Sequence, residues 1–538
     1  MRTLLLATAA FLAAPASAQP ANPPKLIVAI SVDQLSADLF DQYRPHFTGG
    51  LARLSSQGTV YRNGYQSHAA TETCPGHSTL LTGRHPAATG IIANIWLDQG
   101  TARADKNVYC AEDERVPGTT SLNYRVSPEH LRVSTLGDRL KAISPQSRNV
   151  AIAGKDRAAV MMGGRAVDQR WYWDGKAWAT DLAGKPQPKT IAALNRVFAA
   201  SLATAQPPLT APPLCEGKSK AYTLAPNLTV GAGRLERAAG DARGVRGHPE
   251  FDGAVLAGAA GLVQEMQLGR GAATDVLSVG LSATDYVGHG MGTGGAEMCL
   301  QLLALDRSLG DFFQRLDRTG VDYAVVLSAD HGVMDIPERL RDQGITQAVR
   351  ADPALAPAQL GKLLAPQFGA SRPVLLGEGI SGDLWVDHSL PAAIQARVLK
   401  AAAERYRAHP QVYAVYTADE LKRTAIPRGA PDKWSVIQRV RASFDPARSG
   451  DLIVILKPYV SQIAAPSKGY VATHGSPWDY DRRVPIIFWR KGVAGVARSE
   501  AVGTVDILPT LGAMIGLGVP SDSVDGTCLE GAAGTRCR

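Results

Sequence analysis

The chain has 538 residues, of which 45% are hydrophobic and 20% charged, and Lys plus Arg exceed Asp plus Glu by 57 to 49. These are the proportions of a globular enzyme, which excludes a disordered or fibrous chain. The surplus of +8 is modest, and no Lys/Arg block or basic stripe with interleaved aromatics concentrates it. Nucleic acid is therefore not a dedicated partner, although the charge favours the approach of small anions.

The chain opens Met-Arg-Thr-Leu-Leu-Leu and stays apolar up to Ala16-Ser17-Ala18. This pattern predicts a secretory signal peptide over residues 1–18, cut after Ala18. The apolar stretch is shorter than the ~20 residues that span a bilayer, and no later segment is apolar enough. A periplasmic or secreted protein with no membrane insertion is expected. The remaining length exceeds the ~250–300 residues at which one core stops growing, so one large core with long insertions or a cap is expected.

Lys25-Leu-Ile-Val-Ala-Ile-Ser-Val-Asp33 is a continuous β-branched run ending in an acid, which predicts a buried parallel strand. Similar runs end near Lys155, Asp285 and Asp330, and Asp451–Lys457 and Val484–Trp489 are further strand candidates. Between them, Leu300, Leu303, Leu309, Phe312, Phe313 and Leu316 recur at helical spacing. The alternation predicts an α/β three-layer sandwich around a mostly parallel sheet, with chemistry at the carboxyl ends of its strands. Segments near 95–147, 160–250 and 340–450 lack the strand rhythm and are expected to be insertions in one catalytic domain over 25–535. An exported chain with six cysteines should form disulfides. Cys528 and Cys537 flank a short tail and are expected to pair. Cys74–Cys110 and Cys215–Cys299 are the further pairings considered, which spacing alone does not decide. There is no CxxC to suggest ligation of a metal by cysteine.

Asp33, Asp285 with His289, Asp330 with His331, and His474 offer the carboxylate and imidazole ligands that suit zinc. Gly288 and Gly290 favour a loop around Asp285 and His289. Adjacent strand residues point to opposite faces, so Asp330 and His331 share a centre only if the chain turns there, which Gly332 permits. Taken singly, a strand-end Asp is often a helix cap and a lone His is more often structural. The nucleophile candidate is Thr73, placed at a helix N-cap by Pro75 in the first turn. Thr71 and Cys74 are its rivals.

These residues resemble the alkaline phosphatase superfamily, in particular the bacterial threonine-nucleophile alkaline phosphatases of the PafA and PhoK type. The motifs that carry the resemblance are Thr73-Cys-Pro-Gly-His, Ala93-Asn94, Gly154-Lys155-Asp-Arg157, Thr284-Asp285-Tyr-Val-Gly-His289, Ala329-Asp330-His331-Gly332 and Thr473-His474-Gly-Ser-Pro. The resemblance implies two Zn²⁺ per chain, one held by Asp33, Thr73, Asp330 and His331, the other by Asp285, His289 and His474. It implies that Asn94, Lys155 and Arg157 grip the phosphoryl oxygens. It further implies hydrolysis of small-molecule phosphate monoesters through a phospho-threonine, by a chain expected to be monomeric. A structural Ca²⁺ in an insertion is left open.

A sulfatase shares the outline of the helix, but Thr73 fills the cysteine slot and His77 the arginine slot, with Cys74 one residue out of register. A phosphodiesterase or nucleotide pyrophosphatase would share the metal ligands and the threonine. Lys155 and Arg157 favour the monoester, whose phosphoryl oxygens carry one more negative charge than a diester's. As spacing alone, Gly-Lys-Asp-Arg also fits a solvated loop with a surface ion pair. A non-catalytic periplasmic zinc- or phosphate-binding protein would lack a nucleophile or a ligand, and none is missing.

Overall fold

The structure, a computed structural model, describes residues 22–537. The expected signal peptide and its cut after Ala18 lie outside the described residues. No helix among those residues is long and apolar enough to cross a membrane.

The strands run in chain order β1 (Leu26–Val32), β2 (Thr59–Tyr65), β3 (Asn149–Ala153), β4 (Gln169–Trp173), β5 (Trp178–Ala179), β6 (Asp275–Leu281) and β7 (Tyr323–Ser328). A second sheet interrupts with β8 (Leu375–Leu376), β9 (Gly382–Val386), β10 (Val412–Thr417) and β11 (Leu452–Leu456), before β12 (Arg483–Arg490) and β13 (Val496–Gly503) complete the first. The central sheet has the order β13-β2-β12-β7-β1-β6-β3-β4-β5. Neighbours pair in parallel except where β12 runs against β7 and β2, and β5 against β4. This is the expected α/β architecture around a mostly parallel sheet.

Every residue of β1, β6 and β7 is buried. Strands apolar at successive positions must be covered on both faces, and helices supply that cover. Those used below are α1 (Thr73–Leu80), α2 (Asp156–Gly163), α3 (Lys189–Leu202), α4 (Pro249–Glu265), α5 (Ala283–Met291) and α6 (Ala296–Thr319). Helix α1 packs on α2, while α4 packs on both α3 and α6. The helical spacing from Leu300 to Leu316 lies within α6, whose Leu300, Leu309, Phe312, Phe313 and Leu316 are buried in the main core.

The two further strand candidates both form strands, with directions and sheets that the runs do not specify. The Asp451–Lys457 run forms β11, which lies in the second sheet and pairs antiparallel with β9 and β10. The Val484–Trp489 run forms β12, in the central sheet but antiparallel. A continuous apolar run reports cover on both faces, and says nothing about chain direction or sheet. Disulfides join Cys74–Cys110, Cys215–Cys299 and Cys528–Cys537.

Candidate active site

Strand β1 pairs in parallel with β6 up to Val32↔Leu281 and with β7 up to Ser31↔Ser328, so the three carboxyl ends lie side by side. Asp33 follows β1 directly, Asp330 follows β7 by two residues, and Asp285 sits in the first turn of α5 after β6. Asp330 and His331 lie beyond the strand end, so the alternation of strand side chains no longer applies to them. Gly332 is required there for close approach rather than for a left-handed turn. A Cβ on it would meet the Tyr480 carbonyl at 2.3 Å.

The expected loop around Asp285 and His289 is instead helix α5. Four residues of spacing then place both side chains on one helix face. Asp285, His289 and His474 form one group of mutually close ligand atoms, with His289 Nε2 at 3.3 Å and His474 Nε2 at 3.6 Å from Asp285 Oδ1. His289 Nδ1 lies 2.8 Å from the Ala472 carbonyl, and His474 Nδ1 lies 2.8 Å from the Thr71 carbonyl. A neutral imidazole donates from Nδ1 to such a carbonyl and keeps its Nε2 lone pair for a ligand.

A second group comprises Asp33, His77 and Asp330. His331 Nε2 stands 3.1 Å from Asp330 Oδ2, and the His331 ring stacks on His474 with centroids 3.4 Å apart. Burial opposes charge on Asp330, but His331 and His77 outweigh it and hold the carboxyl well below its usual range. Burial likewise disfavours charge on Asp285, and Lys155, His289 and His474 overcome it. Burial and the neighbouring His331 and His289 push His474 well down, toward the neutral form that binds a cation.

Thr73 is the first residue of α1, and the N-cap is Glu72 rather than Thr73 as expected. The reason is that the capping acceptor comes from outside the helix: Asn94 Oδ1 accepts the Cys74 N–H at 2.8 Å. Asn94 N in turn donates to Glu72 Oε2 at 2.7 Å. With its amide oxygen engaged, Asn94 keeps its NH₂ for the cavity that both it and Thr73 line. Gly76 lets α1 approach β7, since a Cβ there would sit 2.0 Å from the Asp330 carbonyl. The rivals to Thr73 are engaged elsewhere. Thr71 Oγ1 donates to the Ser476 carbonyl at 2.8 Å, and Cys74 is in a disulfide.

Lys155 is 3% exposed, so the Gly-Lys-Asp-Arg segment is not a solvated loop. Lys155 Nζ lies 2.5 Å from Asp285 Oδ2 and 2.9 Å from Asp33 Oδ2, and these carboxylates hold it protonated against the effect of burial. Arg157 Nη2 is 3.5 Å from Thr73 Oγ1. Asp156 accepts from the Tyr109 and Tyr124 hydroxyls at 2.7 and 2.8 Å, which anchors the start of α2.

Two residues escaped sequence reasoning as participants. Gln34 adopts a left-handed backbone (φ 69°), donates its N–H to Asp330 Oδ1 at 3.0 Å and its Nε2 to Asp285 Oδ1 at 2.8 Å. It links the two groups, and such a backbone in a non-glycine residue costs about 1–3 kcal/mol. No spacing rule signals it. His77 reaches both Asp33 and Asp330, and its position four residues after Thr73 on α1 was the available signal.

The donor set fits divalent cations. Asp33, Asp285 and Asp330 are three buried carboxylates that have one lysine among them, Lys155, and otherwise face imidazoles: His77 and His331 beside Asp330, His77 beside Asp33, and His289 and His474 beside Asp285. So many buried carboxylates beside one lysine are costly unless further positive charge neutralises them. Oxygen and imidazole donors suit zinc and related ions. Beside His289 and His474 of the first group lies a cavity of about 560 Å³, also lined by Thr73, Asn94 and Arg157, with Trp385 and Ile453 from the second sheet.

A sequence model of the type I phosphodiesterase / nucleotide pyrophosphatase family matches residues 27–477. The chain is 52% identical over 516 residues to alkaline phosphatase PhoK of a Sphingomonas species, covering 96% of this chain and 92% of that one. It is 46% identical over 522 residues to alkaline phosphatase PhoD of Zymomonas mobilis, covering 96% and 90%. The crystal structure of alkaline phosphatase PafA superimposes with a TM-score of 0.82 at 25% identity, covering 96% of this chain and all of that one.

Proposed function

The chain belongs to the type I phosphodiesterase / nucleotide pyrophosphatase family within the alkaline phosphatase superfamily, and on that footing we propose that it hydrolyses phosphate monoesters to alcohol and inorganic phosphate. The observation that carries this is the placement of Lys155 and Arg157. Lys155 Nζ contacts an acid of each ligand group, Arg157 approaches the Thr73 hydroxyl, and Asn94 completes the wall of the same cavity. Fixed cations beside a transferring phosphoryl group stabilise the charge its oxygens keep in the transition state.

In this proposal Asp33, Thr73, Asp330 and His331 hold one zinc ion, and Asp285, His289 and His474 hold a second. Bound there, the ions supply Lewis acidity for the attacking and leaving oxygens of an in-line displacement. The chain does the rest. Thr73 Oγ1 bonds to phosphorus as the alcohol leaves, giving a phospho-threonine. Water then cleaves that ester, releasing phosphate and restoring the hydroxyl. Asn94, Lys155 and Arg157 hold the non-bridging oxygens through both steps. The carbonyls of Ala472 and Thr71 fix the orientation of His289 and His474. Residues 25–535 act as one catalytic domain with insertions near 95–147, 160–250 and 340–450, and the chain works after export to the periplasm or medium. The three disulfides support that location.

The family's description favours a secondary diesterase activity at the same site. The test compares zinc-loaded wild type and Thr73→Ala on an aryl phosphate, its methyl diester and an aryl sulfate. Monoester turnover should lead, sulfate should lag, and Thr73→Ala should lose activity by a factor of at least about 10³. Full activity in Thr73→Ala overturns the nucleophile, and a preference for the diester overturns the substrate class.

A further inference from the structure

Arg157 lines two cavities: the catalytic one, and a second of about 900 Å³ that Lys155, Tyr124, Arg125, Arg243 and Arg246 also line. Three carboxylates border this second cavity, and each is already engaged. Asp156 accepts two tyrosine hydroxyls, Asp181 accepts Arg170 in a two-pronged pair at 2.8 and 2.6 Å, and Asp174 accepts the backbone N–H groups of Lys176 and Ala177. The arginines have no such charged partner, although Arg246 donates to the Arg243 carbonyl at 3.3 Å and to the Tyr286 hydroxyl at 3.4 Å. Among the described residues no carboxylate pairs with Arg125, Arg243 or Arg246. Arg246 lies over the Tyr286 ring, 4.5 Å from its centroid, on the side chain next to Asp285. An open cavity with this excess of cationic donors matches a tetrahedral oxyanion, and guanidinium groups bind phosphate through paired N–H donors.

We propose that this cavity is a second oxyanion site, which takes inorganic phosphate or the phosphate group of an ester and shares Arg157 with the catalytic centre. Its volume admits the anion with part of its hydration shell, so the site holds an anion in waiting beside the reacting position. An ester about to react and a phosphate just released are the two sources. The proposal builds on the phosphatase reading, but it is tested by binding, which does not depend on turnover.

Equilibrium dialysis of the zinc-loaded protein against labelled inorganic phosphate should find two phosphates per chain. Arg125→Ser/Arg243→Ser should keep the catalytic site and weaken the second by at least about tenfold, with monoester kcat within a factor of about two. That retained kcat shows the variant is folded, and Arg246→Ser provides an independent variant with the same expected loss. Phenylphosphonate, run in parallel, assigns the source: two bound per chain means that ester-like anions wait there, one bound means released phosphate only. A single phosphate per wild-type chain, or two held with unchanged affinity in the double variant, overturns the site. Absence of monoester turnover in the wild type would instead count against the proposed function.

Discussion

His77 Nε2 stands 3.2 Å from Asp33 Oδ1. Its Nδ1 lies 2.9 Å from the Thr73 carbonyl and 3.3 Å from Asp330 Oδ2. The helix that presents Thr73 thereby also holds two carboxylates of the Asp33, His77 and Asp330 group. Burial alone would lower the pKa of His77, yet Asp330 and Asp33 raise it to about 10, a sign of how strongly the three groups interact. His77→Ala removes that hold. The expected result is zinc affinity lower by about 10–100-fold, the usual effect of losing a partner that orients a ligand. Competitive chelator titration measures it, and saturating zinc should restore much of kcat. Unchanged zinc affinity would show that His77 serves only the packing of α1.

The role proposed for Lys155 and Arg157 predicts a difference between substrate classes. Hydrogen bonds to charged groups are worth about 1.5–3 kcal/mol each. Lys155→Ala/Arg157→Ala should therefore cost monoester kcat/KM about 10²–10⁴-fold. The diester carries one charge fewer on its oxygens and should lose clearly less. Equal losses on the two substrates would contradict the role given to the pair.

The parts of this site legible in the sequence were those carried by local pattern. Asp33 and Asp330 stand out because long apolar runs end beside them, and the run that ends near Asp285 forms β6. The helix at Asp285 was not legible, because two glycines within four residues read as a loop. Gly288 is there because the Gln34 amide fills its place, 1.6 Å from where a Cβ would sit. That contact joins residues some 250 positions apart, and so does the role of Gln34, which depends on a left-handed backbone that no local rule announces. The direction of β12 and the sheet of β11 were hidden for a related reason: both depend on partners, and an apolar run records only that partners exist. The capping of α1 by Asn94 was hidden in the same way.

The Cys74–Cys110 disulfide ties the residue after Thr73 to the hairpin that follows Asn94, since Ile95–Leu97 pairs with Asn107–Tyr109. The bond closes a loop of 36 residues. By chain entropy that contributes about 3–4 kcal/mol. Cys74→Ser/Cys110→Ser should unfold at lower denaturant by a corresponding amount. Because Asn94 caps α1, the variant should also lose monoester kcat, and exogenous zinc should not restore it. A stability loss with kcat intact would confine the bond to a structural role.

Asp506, which belongs to neither ligand group, makes the stability of the fold depend on pH. Its carboxylate accepts the Gly503 and Thr527 N–H groups, each at 2.7 Å, which pins the carboxy-terminal segment to the turn after β13. Burial raises its pKa from 3.8 to about 6, and the two N–H donors only partly offset that. The folded-state value thus lies above the unfolded one, so the folded chain keeps a proton that the unfolded chain releases between about pH 4 and pH 6. Stability contributed by this group is present below pH 4 and is lost as pH rises through 6. At 1.36 kcal/mol per pKa unit the loss is about 3 kcal/mol. Asp506→Asn does not titrate. Its unfolding free energy relative to wild type should therefore rise by about 2 kcal/mol from pH 4 to pH 6 and level off near pH 7. Urea titrations of both proteins at pH 4, 5, 6 and 7 measure this, and any metal lost at low pH is lost by both alike. Parallel stability curves over that range would show that Asp506 ionises in the folded chain as it does in the unfolded one.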